Sequence, residues 1–85
     1  MTSRDHVLDR LTLQAMVPPA DERRRIRTAA KARRRDVAEA IGVTQQTVAN
    51  WEMGLGPGPR HVDAYVALLG ELRRVAELRQ SWERR

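Results

Sequence analysis

The side chains with the clearest chemistry in this chain are guanidinium groups, and many of them are concentrated in one segment. Residues 23–35 hold eight basic residues and no acid, so this segment carries +8 in a chain with 16 basic and 11 acidic residues and a net charge of +5. The rest of the chain is therefore net −3. Every basic residue except Lys31 is an arginine, which suits bidentate contact with phosphate, although a GC-rich genome favours the same choice. This uneven charge predicts a polyanionic partner.

Amide side chains that follow this segment could recognise DNA bases. A Gln or Asn side chain carries a donor and an acceptor that match N6 and N7 of adenine, and a small Ala suits contact with a thymine methyl group. On a helix these residues share the face opposite Val48 and Trp51, and the major groove, about 12 Å wide, admits one helix. We predict that this face contacts base edges; a merely solvated polar face is the alternative. The base-reading candidates are Gln45, Gln46, Ala49 and Asn50.

Other polar side chains are candidates for contact with the DNA backbone. Guanidinium and hydroxyl groups can donate hydrogen bonds to phosphate, and such contacts position a protein without specifying a sequence. For Arg23, Arg24 and Arg25, two interpretations stay open: contact with flanking phosphate, or simple solvation of the helix. The phosphate-contact candidates are Arg33, Arg34, Thr44, Thr47 and Arg60.

The same residues argue against an enzyme. No nucleophile stands beside a base, and His6 and His61 have no second ligand at metal-binding spacing. Cys is absent, which excludes disulfides and thiolate metal sites. No apolar run is long enough to span a membrane, and no apolar stretch of the signal-peptide type begins the chain. We therefore expect no catalytic residue, cofactor or metal ion, and a location in the bacterial cytoplasm, on the nucleoid.

The elements that must position these residues are helices. Apolar residues recur at intervals of three and four, Phe is absent, and Val, Ile and Thr form no alternating runs. We expect an N-terminal arm or accessory helix within 1–19, a helix-turn-helix domain over 20–70, and a C-terminal helix for packing or dimerisation over 71–85. The predicted helices cover 4–16, a segment from 21, 34–41, 45–53, 61–69 and 71–82, with Gly70 interrupting or bending the chain between the last two.

Two of these helices have the spacing of a helix-turn-helix. Gly42 stands where the first helix ends and a left-handed residue is favoured. Ala38, four positions earlier, is small enough for close packing of the two helices, and Val48, six positions later, is β-branched and apolar. The residues that this geometry turns inward, together with the turn glycine, are Val37, Ala38, Ile41, Gly42, Val43, Val48 and Trp51.

With this motif, residues 23–69 resemble the Cro/C1-type helix-turn-helix family, the xenobiotic-response-element regulators. The likeness implies a lambda-repressor-like, all-α fold: a compact bundle of about five helices whose third helix enters the major groove, with the arm and an extended C-terminal helix added. It also implies that Arg27 pairs with Glu52, and that the residues matching the amide candidates contact base edges. The likeness rests on Ile26-Arg27, on the run from Asp36 to Glu52, and on Gly54 followed by Pro57 or Pro59.

The chain departs from the family pattern at the start of the second helix of the bundle. Lys31 and Ala32 stand where the family commonly has Gly and an aliphatic residue, and Arg33 stands where it commonly has a Ser or Thr cap. A guanidinium cannot accept a hydrogen bond, so it cannot cap a helix N-terminus. One interpretation is that the lost cap is tolerated because Arg33 and Arg34 lie against phosphate.

These observations predict a sequence-specific regulator of transcription that binds double-stranded DNA, as a homodimer on an inverted repeat. The alternative is an antitoxin-like or adaptor module whose terminal helices bind a protein partner. We expect the C-terminal helix to form the dimer contact, unless its apolar residues close over Val7, Leu8 and Leu11 of the same chain. The candidate dimer residues are Leu69, Leu72, Val75, Ala76 and Trp82.

Overall fold

The computed structural model describes residues 3–84, so residues 1, 2 and 85, the ends of the predicted arm and C-terminal helix, lie outside it. The described residues form helices and no strand, and the predicted all-α fold is confirmed. The helices are α1 (Ser3–Ala15), α2 (Ala20–Ala29), α3 (Arg34–Ile41), α4 (Gln45–Glu52) and α5 (Val62–Glu83).

The end of α2 is fixed by a main-chain motif with a left-handed residue. Lys31 has φ of 61°, and its N–H donates to the carbonyl of Thr28 at 3.0 Å. The N–H of Ala32 donates to the carbonyl of Arg27 at 3.1 Å, which completes a Schellman motif. Lys31 thus occupies a backbone conformation that glycine adopts more easily.

The helix α3 begins without a capping hydroxyl. Arg33, its N-cap, is extended, and the carboxylate of Asp36 accepts the main-chain N–H of Arg33 at 2.8 Å. The carboxylate at the third position of the helix therefore supplies one half of a capping box, and it also suits the positive end of the helix dipole. This contact explains how the helix starts at Arg34 with an arginine in the cap position.

The turn between α3 and α4 has the predicted glycine. Gly42 has φ of 86°, and its N–H donates to the carbonyl of Ala38 at 2.8 Å. The hydroxyl of Thr44 then accepts the N–H of Thr47 at 3.1 Å and begins α4. The turn therefore fixes where the first residues of α4 lie.

The core lies where α2, α3, α4 and α5 meet. Val48 of α4 is fully buried, and the Trp51 ring packs against Tyr65 of α5 with the ring centroids 4.7 Å apart. Ile41, Val43, Leu68 and Leu72 are partly buried around this cluster. The buried members of the cluster are Ile26, Val37, Ala38, Val48, Trp51, Tyr65 and Leu69.

Of the two predicted alternatives at Gly70, an interruption is excluded, because α5 runs continuously from Val62 to Glu83. A glycine inside a helix costs only about 0.5–1 kcal/mol relative to Ala, and burial of Leu69 and Ala76 on either side of Gly70 offsets this cost. Val75 and Trp82, two of the candidate dimer residues, are 41% and 71% exposed. The C-terminal part of α5 therefore continues beyond the core.

The helix α1 packs against α5 but does not cover it. Val7, Leu8 and Leu11 of α1 stay about half exposed, and so does Leu78 of α5. The Cα radius of gyration is 14.1 Å and the principal extents are 51 × 26 × 20 Å. The exposed apolar side chains of the two helices, Val7, Leu8 and Leu11 of α1 and Val75 and Leu78 of α5, are together called here the α1–α5 face.

Candidate nucleic-acid interface

Of the predicted base-reading residues, Gln46 and Asn50 lie on the face of α4 opposite the buried Val48, and Gln45 and Ala49 lie on its flank. Gln45 and Gln46 are exposed, whereas Ala49 and Asn50 are partly buried. Nε2 of Gln46 donates to Oδ1 of Asn50 at 3.0 Å. This bond leaves Oε1 of Gln46 and Nδ2 of Asn50 as one acceptor and one donor, the combination that a base edge requires.

The two threonines at the start of α4 share their hydroxyl groups. Oγ1 of Thr44 accepts the main-chain N–H of Thr47 and lies 2.9 Å from Oγ1 of Thr47, where either hydroxyl is the donor. One of the two hydroxyl protons is therefore used inside the turn. The pair keeps one hydroxyl proton for a phosphate oxygen.

Arginines line an open groove beside the amide face. The groove, of about 430 Å³, is lined by Arg33, Arg34 and Gln45 among others, so it brings two predicted phosphate contacts next to a base-reading candidate. Arg35, which sequence reasoning did not assign to phosphate, also lines it and is exposed. The position of Arg35 within the +8 segment 23–35 is the sequence feature that could have identified it as a phosphate contact. The complete lining is Arg27, Ala32, Arg33, Arg34, Arg35 and Gln45.

A buried carboxylate lies behind this groove. The Glu52 side chain is 2% exposed and accepts two bonds from Arg27, Nε to Oε2 at 2.5 Å and Nη2 to Oε1 at 3.0 Å. Arg27 also donates to the carbonyl of Ala32 at 3.0 Å. Burial raises the pKa of Glu52, but the bonds and charges of Arg27 and Arg34 outweigh it and hold that pKa below its ordinary value. Glu52 is therefore charged and well paired at neutral pH.

Arg34 joins the same carboxylate. Its Nε lies 3.2 Å from Oε1 of Glu52, and its side chain is 42% exposed. The contact uses Nε, so the outer guanidinium nitrogens of Arg34 remain available to the groove. Arg34, which the sequence predicts to bind phosphate, therefore contacts Glu52 and also lines the groove.

Arg23 has a role that neither interpretation of the sequence provided. Nε donates to the carbonyl of Pro18 at 2.7 Å, and Nη1 donates to the carbonyls of Trp51 at 2.8 Å and Gly56 at 3.1 Å. Its side chain therefore binds main-chain oxygens rather than standing free in solvent. Its spacing from Ile26 and Arg27 places it on the inner side of α2, but the sequence gives no sign of the carbonyls that it meets.

The remaining basic candidates lie apart from the groove. Arg24 and Arg25 are exposed on α2, and Arg25 pairs with Asp21 one turn earlier at 2.6 Å. Arg60 is exposed in the turn before α5 and does not line the arginine groove. His61, the N-cap of α5, lies with its ring centroid 5.9 Å from that of Trp51. Its place beside a core ring suits a packing role.

Comparison with known proteins identifies the motif. A family model described as helix-turn-helix, of the Cro/C1 type, matches residues 24–73, more than half of the chain. No curated protein and no solved structure matches the chain. Among the described residues, no helix is long and apolar enough to cross a membrane.

Proposed function

The chain belongs to the Cro/C1-type helix-turn-helix family of DNA-binding proteins, and on this premise we propose that it is a transcription regulator that recognises a specific double-stranded DNA sequence with α4. The observation that carries the proposal is the hydrogen-bonded pair of Gln46 and Asn50 on the exposed face of α4, beside the arginine groove. The amides supply base contacts, and the guanidinium groups supply contacts with phosphate.

The proposed orientation on DNA follows from charge and helix geometry. The amide face of α4 lies in the major groove, and Arg33, Arg34 and Arg35 lie along the flanking phosphates. The positive segment 23–35 supplies attraction to any duplex, which weakens as salt is added. Base contacts at the amides then select among sequences, each good contact contributing about 1–3 kcal/mol of discrimination.

We further propose that two copies bind an inverted repeat. One module contacts only a few base pairs, whereas a twofold dimer contacts half-sites about 34 Å apart on one side of the duplex. The surface proposed for this contact differs from the sequence-based set, because Leu69 and Ala76 are buried in the monomer. Val75 and Trp82 of that set stay exposed, and Leu78 of α5 and the apolar residues of α1 add exposed apolar area.

The same exposed surface also favours the second candidate function, an antitoxin-like or adaptor module that binds another protein. In that case the α1–α5 face contacts a partner of a different sequence, and DNA binding by α4 serves to place that partner. The two functions differ in the behaviour of the pure protein: the regulator pairs with itself on DNA, whereas the adaptor stays a monomer until its partner is added.

Selection from a random duplex library tests the DNA-binding proposal. We expect one enriched sequence with two inverted half-sites. Gln46→Ala and Asn50→Ala should each reduce the preference for this sequence over a shuffled duplex, while affinity for the shuffled duplex persists. Gln80→Ala, which removes an exposed amide from α5, is the matched control and should leave the preference intact. Full preference in both α4 variants would show that α4 is not the recognition helix.

The mass of the protein with and without the selected duplex tests the dimer. We expect two copies on a full inverted repeat and one on a half-site. Leu78→Ser should weaken binding to the full repeat more than binding to the half-site. A single copy on the full repeat would rule out the dimer and favour the adaptor function.

A further inference from the structure

Arg23 joins three separate segments of the chain through their main-chain carbonyls. Pro18 belongs to the linker between α1 and α2, Trp51 to the last turn of α4, and Gly56 to the loop that follows α4. The three donor–acceptor distances lie between 2.7 and 3.1 Å, and the bonds to Pro18 and Trp51 are part-buried. A single side chain thus links the entry to α2 with the end of the recognition helix.

The carbonyl of Trp51 is a favourable partner for a cation. It is one of the last carbonyls of α4, which lack the N–H that a continuing helix would supply four residues later and lie at the negative end of the helix dipole. The N–H of Gly54 reaches it at 3.3 Å, and Arg23 adds a charged and shorter bond. Gly56 lies close to the same residue, since an added Cβ there would meet Nε1 of Trp51 at 3.0 Å.

Arg23 and Arg27 together attach α2 to two neighbouring residues of α4. They stand one helical turn apart on α2, and they bind the main chain of Trp51 and the side chain of Glu52, respectively. A single attachment would let the end of α4 rotate about that point. Two attachments, from residues one helical turn apart on α2, also fix the direction of α4. Because α4 has only eight residues, a small change of direction at this end moves the amide face relative to a base pair.

We propose that Arg23 is a positioning residue for sequence recognition, which fixes the direction of α4 by binding the carbonyls of Trp51, Gly56 and Pro18. The proposal rests on the function proposed above, in that α4 is taken as the recognition helix. Arg23 itself contacts no base. Its loss changes the selectivity of DNA binding, not only the charge or the stability of the domain.

The test compares three variants of the full chain. Arg23→Met removes the bonds and one charge, and Arg23→Lys keeps the charge but cannot reach separate carbonyls with two nitrogens. Arg25→Met is the matched control, because it removes the same charge from the same helix at a residue whose bond is to the exposed Asp21. Affinities for the selected duplex and for a shuffled duplex are measured at a temperature where every variant lies on its folded baseline.

We expect Arg23→Met to lower the ratio of the two affinities about fivefold or more, which corresponds to one misplaced base contact. Arg23→Lys should recover part of this ratio, and Arg25→Met should lower both affinities with the ratio unchanged. An unchanged ratio in folded Arg23→Met would overturn the proposal.

A second measurement needs no DNA. In a Trp82→Phe background, Trp51 is the sole tryptophan, and its fluorescence and near-ultraviolet circular dichroism report on the end of α4. Arg23→Met should change both spectra, and Arg25→Met should change neither. If the parent enriches no sequence, the proposed function fails, and these spectra decide the placement of Arg23: changed spectra support it and unchanged spectra overturn it.

Discussion

Glu52→Ala should destabilise the domain strongly, because the Glu52 side chain is buried and paired with Arg27. The substitution leaves Arg27, whose side chain is 11% exposed, with only the carbonyl of Ala32 as a partner. Removing one member of a buried pair costs about 3–5 kcal/mol. Arg34 adds little to this cost, because it is 42% exposed and can turn to solvent. We therefore expect the lower end, about 3 kcal/mol.

Thermal unfolding gives the assay. For a domain of this size a loss of 1 kcal/mol lowers the melting temperature by about 4–8 °C, so the expected decrease is about 12–24 °C. Arg25→Ala, which breaks the exposed pair with Asp21, is the control and should change the melting temperature little. Arg27→Met combined with Glu52→Met should recover much of the loss, because it removes both charges together.

The pH dependence supplies a second readout. The folded pKa of Glu52 lies below its ordinary value of 4.5, so its stabilising effect is present above pH 4.5 and is lost as the pH falls through the lower folded value. The difference in stability between the parent and Glu52→Ala should therefore shrink in acid. A melting temperature of Glu52→Ala within a few degrees of the parent at neutral pH would refute the assignment of a dry, paired carboxylate.

Three further predictions follow from other parts of the structure. Lys31→Gly should raise the free energy of unfolding by about 0.5–1 kcal/mol, because the left-handed conformation costs a non-glycine residue more than it costs glycine; a lower melting temperature would contradict this. Burial and the nearby Glu52 raise the pKa of Tyr65, the only tyrosine, to about 12, so its stabilising effect should be lost between pH 10 and pH 12. A phenolate absorbance midpoint near pH 10 in the folded protein would show that Tyr65 is solvated. Arg34→Ala should weaken binding to all duplexes alike and flatten the slope of log K against log salt by about one unit, whereas an unchanged slope would mean that Arg34 stays on Glu52 in the complex.

The helix-turn-helix could be predicted from the sequence because its determinants are local. Gly42, Ala38 and Val48 lie within a few residues of one another, and each has one residue type that the turn or the packing requires. The continuity of α5 could not be predicted in this way. Whether a single glycine ends a helix depends on the burial of its neighbours, which is a property of the assembled core.

The arginines show more clearly which contacts cannot be predicted from the sequence. Charge alone predicts that the segment 23–35 contacts a polyanion, but it does not distinguish the roles of the individual arginines. Arg23 binds main-chain carbonyls and Arg34 binds a carboxylate, whereas Arg35 stays exposed in the groove. The main-chain carbonyls leave no trace in the sequence, since every residue has one. Only the path of the loop after α4 brings the carbonyl of Gly56 to Arg23.

The length of α5 affects how this protein diffuses. At about 1.5 Å per residue, a helix of 22 residues is about 33 Å long, and the longest extent of the molecule, 51 Å, is about twice the intermediate one, 26 Å, and more than twice the shortest, 20 Å. The radius of gyration of 14.1 Å exceeds the value of about 12 Å that is typical of a compact domain of 85 residues. A single copy therefore has more friction than a sphere of its mass, and it elutes from a sizing column ahead of globular standards. On elution volume alone, a monomer would be mistaken for a larger species. The copy number must therefore be measured by light scattering or sedimentation equilibrium, which report mass independently of shape.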